Sequence, residues 1–176
     1  MADAKMDITG LDNLINTLKG NTRAMAAGMH DIGVVYMSFT RRRYIKFSRG
    51  GGDWKALKPA TVKRRKKGKG KKAKGASAKI LVDTGILLNA LSPGAPGYMN
   101  KMIGKKKVRV GFGKTQHKSK KGEKKKPMTY QRLADIHQRG LGNSPAREIF
   151  VKPDRPALRR MRKVLKVTIE KGVKTG

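Results

Sequence analysis

Leu11, Leu14, Ile15 and Leu18 recur at intervals of three and four, which places them on one face of a helix. Thr9 or Gly10 can open that helix, and Gly20-Asn21 can close it. A second apolar series, Met25, Met29, Ile32, Gly33, Tyr36, Met37, Tyr44 and Phe47, keeps the same period until Gly50-Gly51-Gly52 breaks it, so a long helix is predicted. Asp83 is placed to cap a short helix holding Ile86, Leu87, Leu88, Ala90 and Leu91, which must stop before Pro93. Pro93 to Gly97 reads as a turn-rich connection. Val108, Val110 and Phe112 alternate with Arg109 and Gly111, the period-two signature of a half-buried strand. Tyr130, Leu133, Ala134, Ile136 and His137 return to helical spacing and stop at Gly140. From Pro156 to about Lys171, Leu158, Met161, Val164, Leu165 and Ile169 share a face, which predicts an amphipathic helix, although β-branching in Val164 to Ile169 leaves a strand open.

These elements predict an α+β fold over residues 1–176 as one domain. It has long N-terminal helices, a small, mostly antiparallel sheet, a C-terminal amphipathic helix and two basic loop insertions at about 63–79 and 113–127. No internal repeat at a fixed period is visible.

Charge changes this picture most. The 176 residues carry 44 Lys and Arg against 11 Asp and Glu, a formal net charge of +33 that repels itself unless something anionic meets it. Nucleic acid, an anionic membrane surface and an acidic protein face are the partners that charge alone allows. Nine of the twelve residues from Lys63 to Lys74 are Lys or Arg, which predicts a solvated arm or loop. Within it Lys63, Arg64, Arg65, Lys66 and Lys67, then Lys69, Lys71 and Lys72, are candidate polyanion contacts. The second basic loop, Lys114 to Lys126, adds Lys118, Lys120 and Lys121, then Lys124, Lys125 and Lys126. Arg41, Arg42, Arg43, Lys46 and Arg49 form a basic collar at the end of the long helix, where they also suit the helix dipole. Aromatic residues do not interleave with these runs, so contact with phosphates is expected rather than base reading by stacking.

Several classes of function lose support. There are no cysteines, hence no disulfides, thiolate metal sites or thiol nucleophiles. The N-terminal residues lack the apolar run of a secretory leader and no stretch is apolar over about 18 residues, so no membrane partner is expected. Gly113-Lys114-Thr115 follows a strand, but the P-loop pattern needs a glycine where Val108 stands and a helix where Gln116 to Lys120 follow. Asp83-Thr84-Gly85 has Ile86 where the aspartic protease motif needs a small residue. His30, His117 and His137 lack metal-site or catalytic spacing. No enzyme activity, metal or cofactor is therefore expected. Trp54, the single tryptophan, is read as a core anchor rather than a base-stacking platform.

Five short motifs stand in one order: Trp54-Lys-Ala-Leu57-Lys-Pro59-Ala-Thr61; Ile80-Leu81-Val-Asp83-Thr84-Gly85-Ile-Leu87; Val108-Arg-Val110-Gly111; Leu133-Ala134-Asp-Ile136-His137-Gln138-Arg-Gly140; and Pro145-Ala146-Arg147-Glu148-Ile-Phe150. In this order they resemble the phage virion morphogenesis, or tail-completion, family of Mu-like and P2-like phages, which is similar to gp10-like neck proteins. The resemblance covers about residues 25 to 170. The chain departs from the family in the Lys content of both insertions and in Ile149, which intervenes before Phe150. The resemblance implies a structural virion protein at the head-tail junction or head-proximal tail end, made in the host cytoplasm. It implies a self-assembled ring of six copies that meets neighbouring neck or tail proteins and encloses viral DNA, whose phosphates the basic loops would contact. Arg147 and Phe150 in the Pro-Ala-Arg motif are candidate contacts between subunits or rings, with loop packing inside the subunit as the equal alternative. The alternative is a free basic nucleic-acid-binding protein of ribosomal or nucleoid type.

Overall fold

The computed structural model describes residues 22–67, 79–82, 85–104, 107–116, 128–142 and 144–174. The helix expected around Leu11 to Leu18 lies outside them. The described elements run α1 (Thr22–Ser48), α2 (Pro59–Lys67), α3 (Ile86–Asn89), β1 (Tyr98–Ile103), β2 (Lys107–Phe112), α4 (Tyr130–Arg139) and α5 (Arg155–Lys174). The strands pair as one antiparallel hairpin, so the fold is α+β, with helices predominating.

The chain divides into two compact units. The described part of the first comprises α1 up to Thr40, Met99–Gly111 of the hairpin, and the chain from Phe150 onward. Its core is a helix pair. Met25, Met29, Ile32 and Tyr36 of α1 are buried, as are Ala157, Met161, Leu165 and Ile169 of α5, a strict i, i+4 stripe. Gly28 is where the two helices approach: a Cβ there would stand 2.6 Å from Leu165 Cδ1. The Thr168 hydroxyl donates to Asp31 Oδ2 at 2.9 Å and ties the next turn. The Asp154 carboxylate caps α5 by accepting from the Ala157 amide. Val164 to Ile169 are helical, because the buried stripe outweighs the β-branched preference.

The second unit comprises Arg41–Tyr98 and Phe112–Ile149, with Tyr44, Trp54, Ile80, Leu87, Leu91, Phe112, Tyr130, Ala134 and Ile149 buried. Two expectations need correction here. Lys63, Arg64, Arg65, Lys66 and Lys67, expected in a loop, belong to α2. Pro59 at its first position supplies a helical φ without wasting an amide, and Lys and Arg are good helix formers. α3 is only four residues long and is entered through Gly85 in the left-handed region (φ 70°), without a side-chain cap; Asp83 lies outside the described residues. α4 matches expectation. Thr129 caps it by accepting from the Arg132 amide at 3.1 Å, and Gly140, left-handed at φ 69°, ends it.

Candidate functional site

Residues of four of the five motifs meet in the second unit, whereas Val108, Val110, Gly111 and Phe150 belong to the first. The Trp54 indole is 6% exposed and wedged edge-on against the rings of Tyr44 (5.1 Å between centroids) and Phe47 (5.6 Å). Its Nε1 donates to the Glu148 carbonyl at 3.2 Å, so this amphipathic ring is satisfied at its polar edge while its body fills the core. Trp54 is thus the anchor it was expected to be. Arg43 stacks on Phe47 with its guanidinium 4.1 Å from the ring centroid, and also donates to the Glu148 carbonyl. The Tyr44 hydroxyl donates to the Leu81 carbonyl at 2.7 Å, and the Ile80 amide donates to the Ser48 carbonyl at 2.9 Å. These bonds hold Leu81, a non-glycine at φ 57°, in a backbone region that side chains disfavour.

Arg147 is turned inward. It is 6% exposed, and its Nε and Nη2 both donate to the Lys55 carbonyl, at 3.3 and 2.9 Å. Its backbone amide donates to the His137 carbonyl at 2.7 Å, while the Ile149 amide donates to Gln138 Oε1 at 2.7 Å. Of the two readings of this residue, subunit contact and loop packing, the contacts within the chain are of the second kind: the guanidinium joins the Pro-Ala-Arg segment to the segment after Trp54. The fork geometry of arginine lets one side chain satisfy a carbonyl through two donors, which explains that use.

A carboxylate-poor, partly dehydrated surrounding marks this network. Burial pushes the Tyr44 phenol well up, although Arg147 and Arg65 pull the other way, so it stays a hydrogen-bond donor. Burial lowers the His137 imidazole, and Arg147 and Arg65 lower it further. Arg147 itself is lowered by burial and then by Arg65. Arg65, half-buried, donates from Nη1 to the Lys79 carbonyl at 2.9 Å. The lowering of His137 and Arg147 by nearby cations shows like charges held near one another, the arrangement of a scaffold fixed by backbone acceptors.

The exposed cations lie around open depressions. One, of about 560 Å³, is lined by Leu57, Pro59, Val62, Lys63 and Lys66. Another, of about 450 Å³, is lined by Arg42, Ile45, Lys46, Arg49 and Gly51, part of the expected collar. Of the candidate polyanion contacts, Lys63 and Lys66 are exposed and Arg65 is turned to its carbonyl partner. Arg64 and Lys67 are placed in α2 by their backbone. Lys69, Lys71, Lys72, Lys118, Lys120, Lys121, Lys124, Lys125 and Lys126 lie outside the described residues.

Phe150, in the first unit, is half-buried and stacks on Tyr36 with centroids 6.3 Å apart; the Tyr36 hydroxyl donates to the Val151 carbonyl at 2.8 Å. The stretch after β2 is committed to backbone pairing: the Gly113 amide donates to the Gly97 carbonyl, and the Tyr130 and Gln131 amides donate to Thr115 and Gly113. Gln116 pairs with Thr129 in an antiparallel bridge, so the described residues that follow Gly113-Lys114-Thr115 do not open a helix. Among the described residues no cluster of three His, Asp or Glu is arranged to hold a metal, and no helix is long and apolar enough to cross a membrane. Compared with protein-family profiles, curated proteins and solved structures, the chain matches none.

One further surface carries no sequence motif. On α5, Arg155, Arg159, Arg160, Arg162, Lys163 and Lys166 are all exposed. Their charge was legible, but which way they face depends on the register of the buried stripe.

Proposed function

We propose that the chain is a structural virion protein of the tail-completion or neck type, acting at the head-tail junction without catalysis. The supporting observation is that four of the five motifs carrying the resemblance interlock within the second unit. Trp54 reaches Glu148, Arg147 reaches Lys55 and His137, Tyr44 reaches Leu81, and Gln138 accepts from Ile149. Motifs separated by up to 94 residues are thereby tied through backbone acceptors, a role that calls for rigidity rather than chemistry. In this reading six copies close a ring, since a heterologous contact that closes satisfies every subunit face. The exposed cations of α2 and of the α1 C-terminus then meet viral DNA or an acidic neighbour in the virion. Deleting the gene from the phage tests this: filled heads and finished tails should accumulate unjoined, and adding the purified chain should join them. Normal virions made without it would overturn the proposal.

The same exposed cations fit a free nucleic-acid-binding protein, which would be found on host nucleic acid rather than in particles.

A further inference from the structure

We infer that the solvent face of α5 is a binding surface for the phosphate backbone of duplex DNA. Successive helix residues turn by about 100°, so Arg155, Arg159, Arg162, Lys163 and Lys166 fall within one arc of about 100°. All five are exposed. The arc runs about 16 Å along the helix axis, a length over which duplex DNA presents about ten phosphates. One carboxylate lies in the same arc, Glu170, which sits 3.8 Å from Lys166 with both side chains mostly exposed. That surface pair is weak and leaves the stripe strongly cationic.

The stripe's surroundings select the partner. A basic amphipathic helix can lie on a membrane only if its apolar face is free to enter it. Here Ala157, Met161, Leu165 and Ile169 are 0–4% exposed, so that face is already committed to the protein core. A protein partner needs an apolar centre to its interface, whereas among the described residues of α5 the exposed large apolar side chain is Val167, 39% exposed, at the stripe's margin. The stripe offers no aromatic ring for stacking bases, which disfavours single strands. Closely spaced, fixed cations without apolar or aromatic neighbours match a regular array of phosphates. The contact is sequence-independent, because phosphates carry no base identity. It goes beyond the neck reading by adding α5 to the cations of α2 and of the α1 C-terminus as a surface for DNA. It rests on that reading only for bringing DNA within reach.

The test is binding of the full chain to a fluorescein-labelled 30-base-pair duplex of mixed sequence, measured by anisotropy across a salt series. The triple variant R159Q/R162Q/K166Q should reduce the slope of log affinity against log salt by about 2.7, and lower affinity at 0.15 M salt by about a hundredfold. The charge-keeping variant R159K/R162K/K166R should bind as the parent does. Removing equal charge from the hairpin, with K101Q/K107Q/R109Q, should cost far less. Equal losses for the two Gln triples would reduce the effect to net charge and overturn the inference, as would an unchanged slope in the α5 variant or tighter binding to phosphatidylserine vesicles than to the duplex. Circular dichroism checks that each variant folds. Because purified protein and free duplex are used, this result is read separately from whether unjoined heads and tails appear in the gene deletion.

Discussion

Replacing Arg147 with Met tests whether the Pro-Ala-Arg motif is scaffold or interface. Met keeps an unbranched apolar stem but removes the guanidinium and with it both donors to the Lys55 carbonyl. These part-buried bonds are then lost, and a hydrogen bond to a charged group contributes about 1.5–3 kcal/mol. Relief of repulsion with Arg65 offsets part of this, because Arg65 is the next largest influence after burial that lowers Arg147. The expected net loss is about 2 kcal/mol, or about 4–8 °C in melting temperature for a chain of this length. Urea unfolding followed by Trp54 fluorescence is a direct assay, since the indole is buried and donates to the residue next to Arg147. The same variant should raise the His137 pKa toward the free-imidazole value, since Arg147 is the largest charge lowering it; an NMR titration reads that shift. Unchanged stability with an unmoved His137 would refute the inward placement. Unchanged stability with abolished ring formation would restore Arg147 to a subunit contact.

Leu165→Ala, at a fully buried position against Gly28, should lose about 2–5 kcal/mol by opening a cavity between α1 and α5, measured by chemical denaturation. Thr129→Ala removes the cap of α4 and should cost about 1 kcal/mol in the same assay. His137 is lowered in the folded chain, so the unfolded chain takes up a proton first as pH falls. Stability should therefore hold above about pH 6.5 and decline as pH drops below that unfolded-state value, and His137→Gln should flatten the decline.

The helices were legible where one face is apolar at regular spacing. α1 and α5 show this, and Gly140 announced the end of α4 because its left-handed turn suits glycine. β2 was legible from its alternation, but β1 was not: Tyr98 to Ile103 shows mostly half-buried positions with no period-two contrast, and it is a strand because β2 pairs with it. The Lys-rich run concealed α2, since charge density signals solvation but does not prevent helix formation once Pro59 starts the turn. The scaffold role of Trp54 could be read from its singular, Gly-flanked setting. The inward use of Arg147 could not, because an arginine at a buried carbonyl and an arginine at an interface look alike until Lys55 is brought beside it. The cationic face of α5 became visible only once the buried stripe fixed its register.

Electron microscopy of virions carrying a tagged copy of the chain tests the proposed function most directly. The account predicts rings of the tagged chain confined to the joint between head and tail, with the DNA passage through their centre. Tag density spread over host nucleoid, with none on the particles, would contradict it.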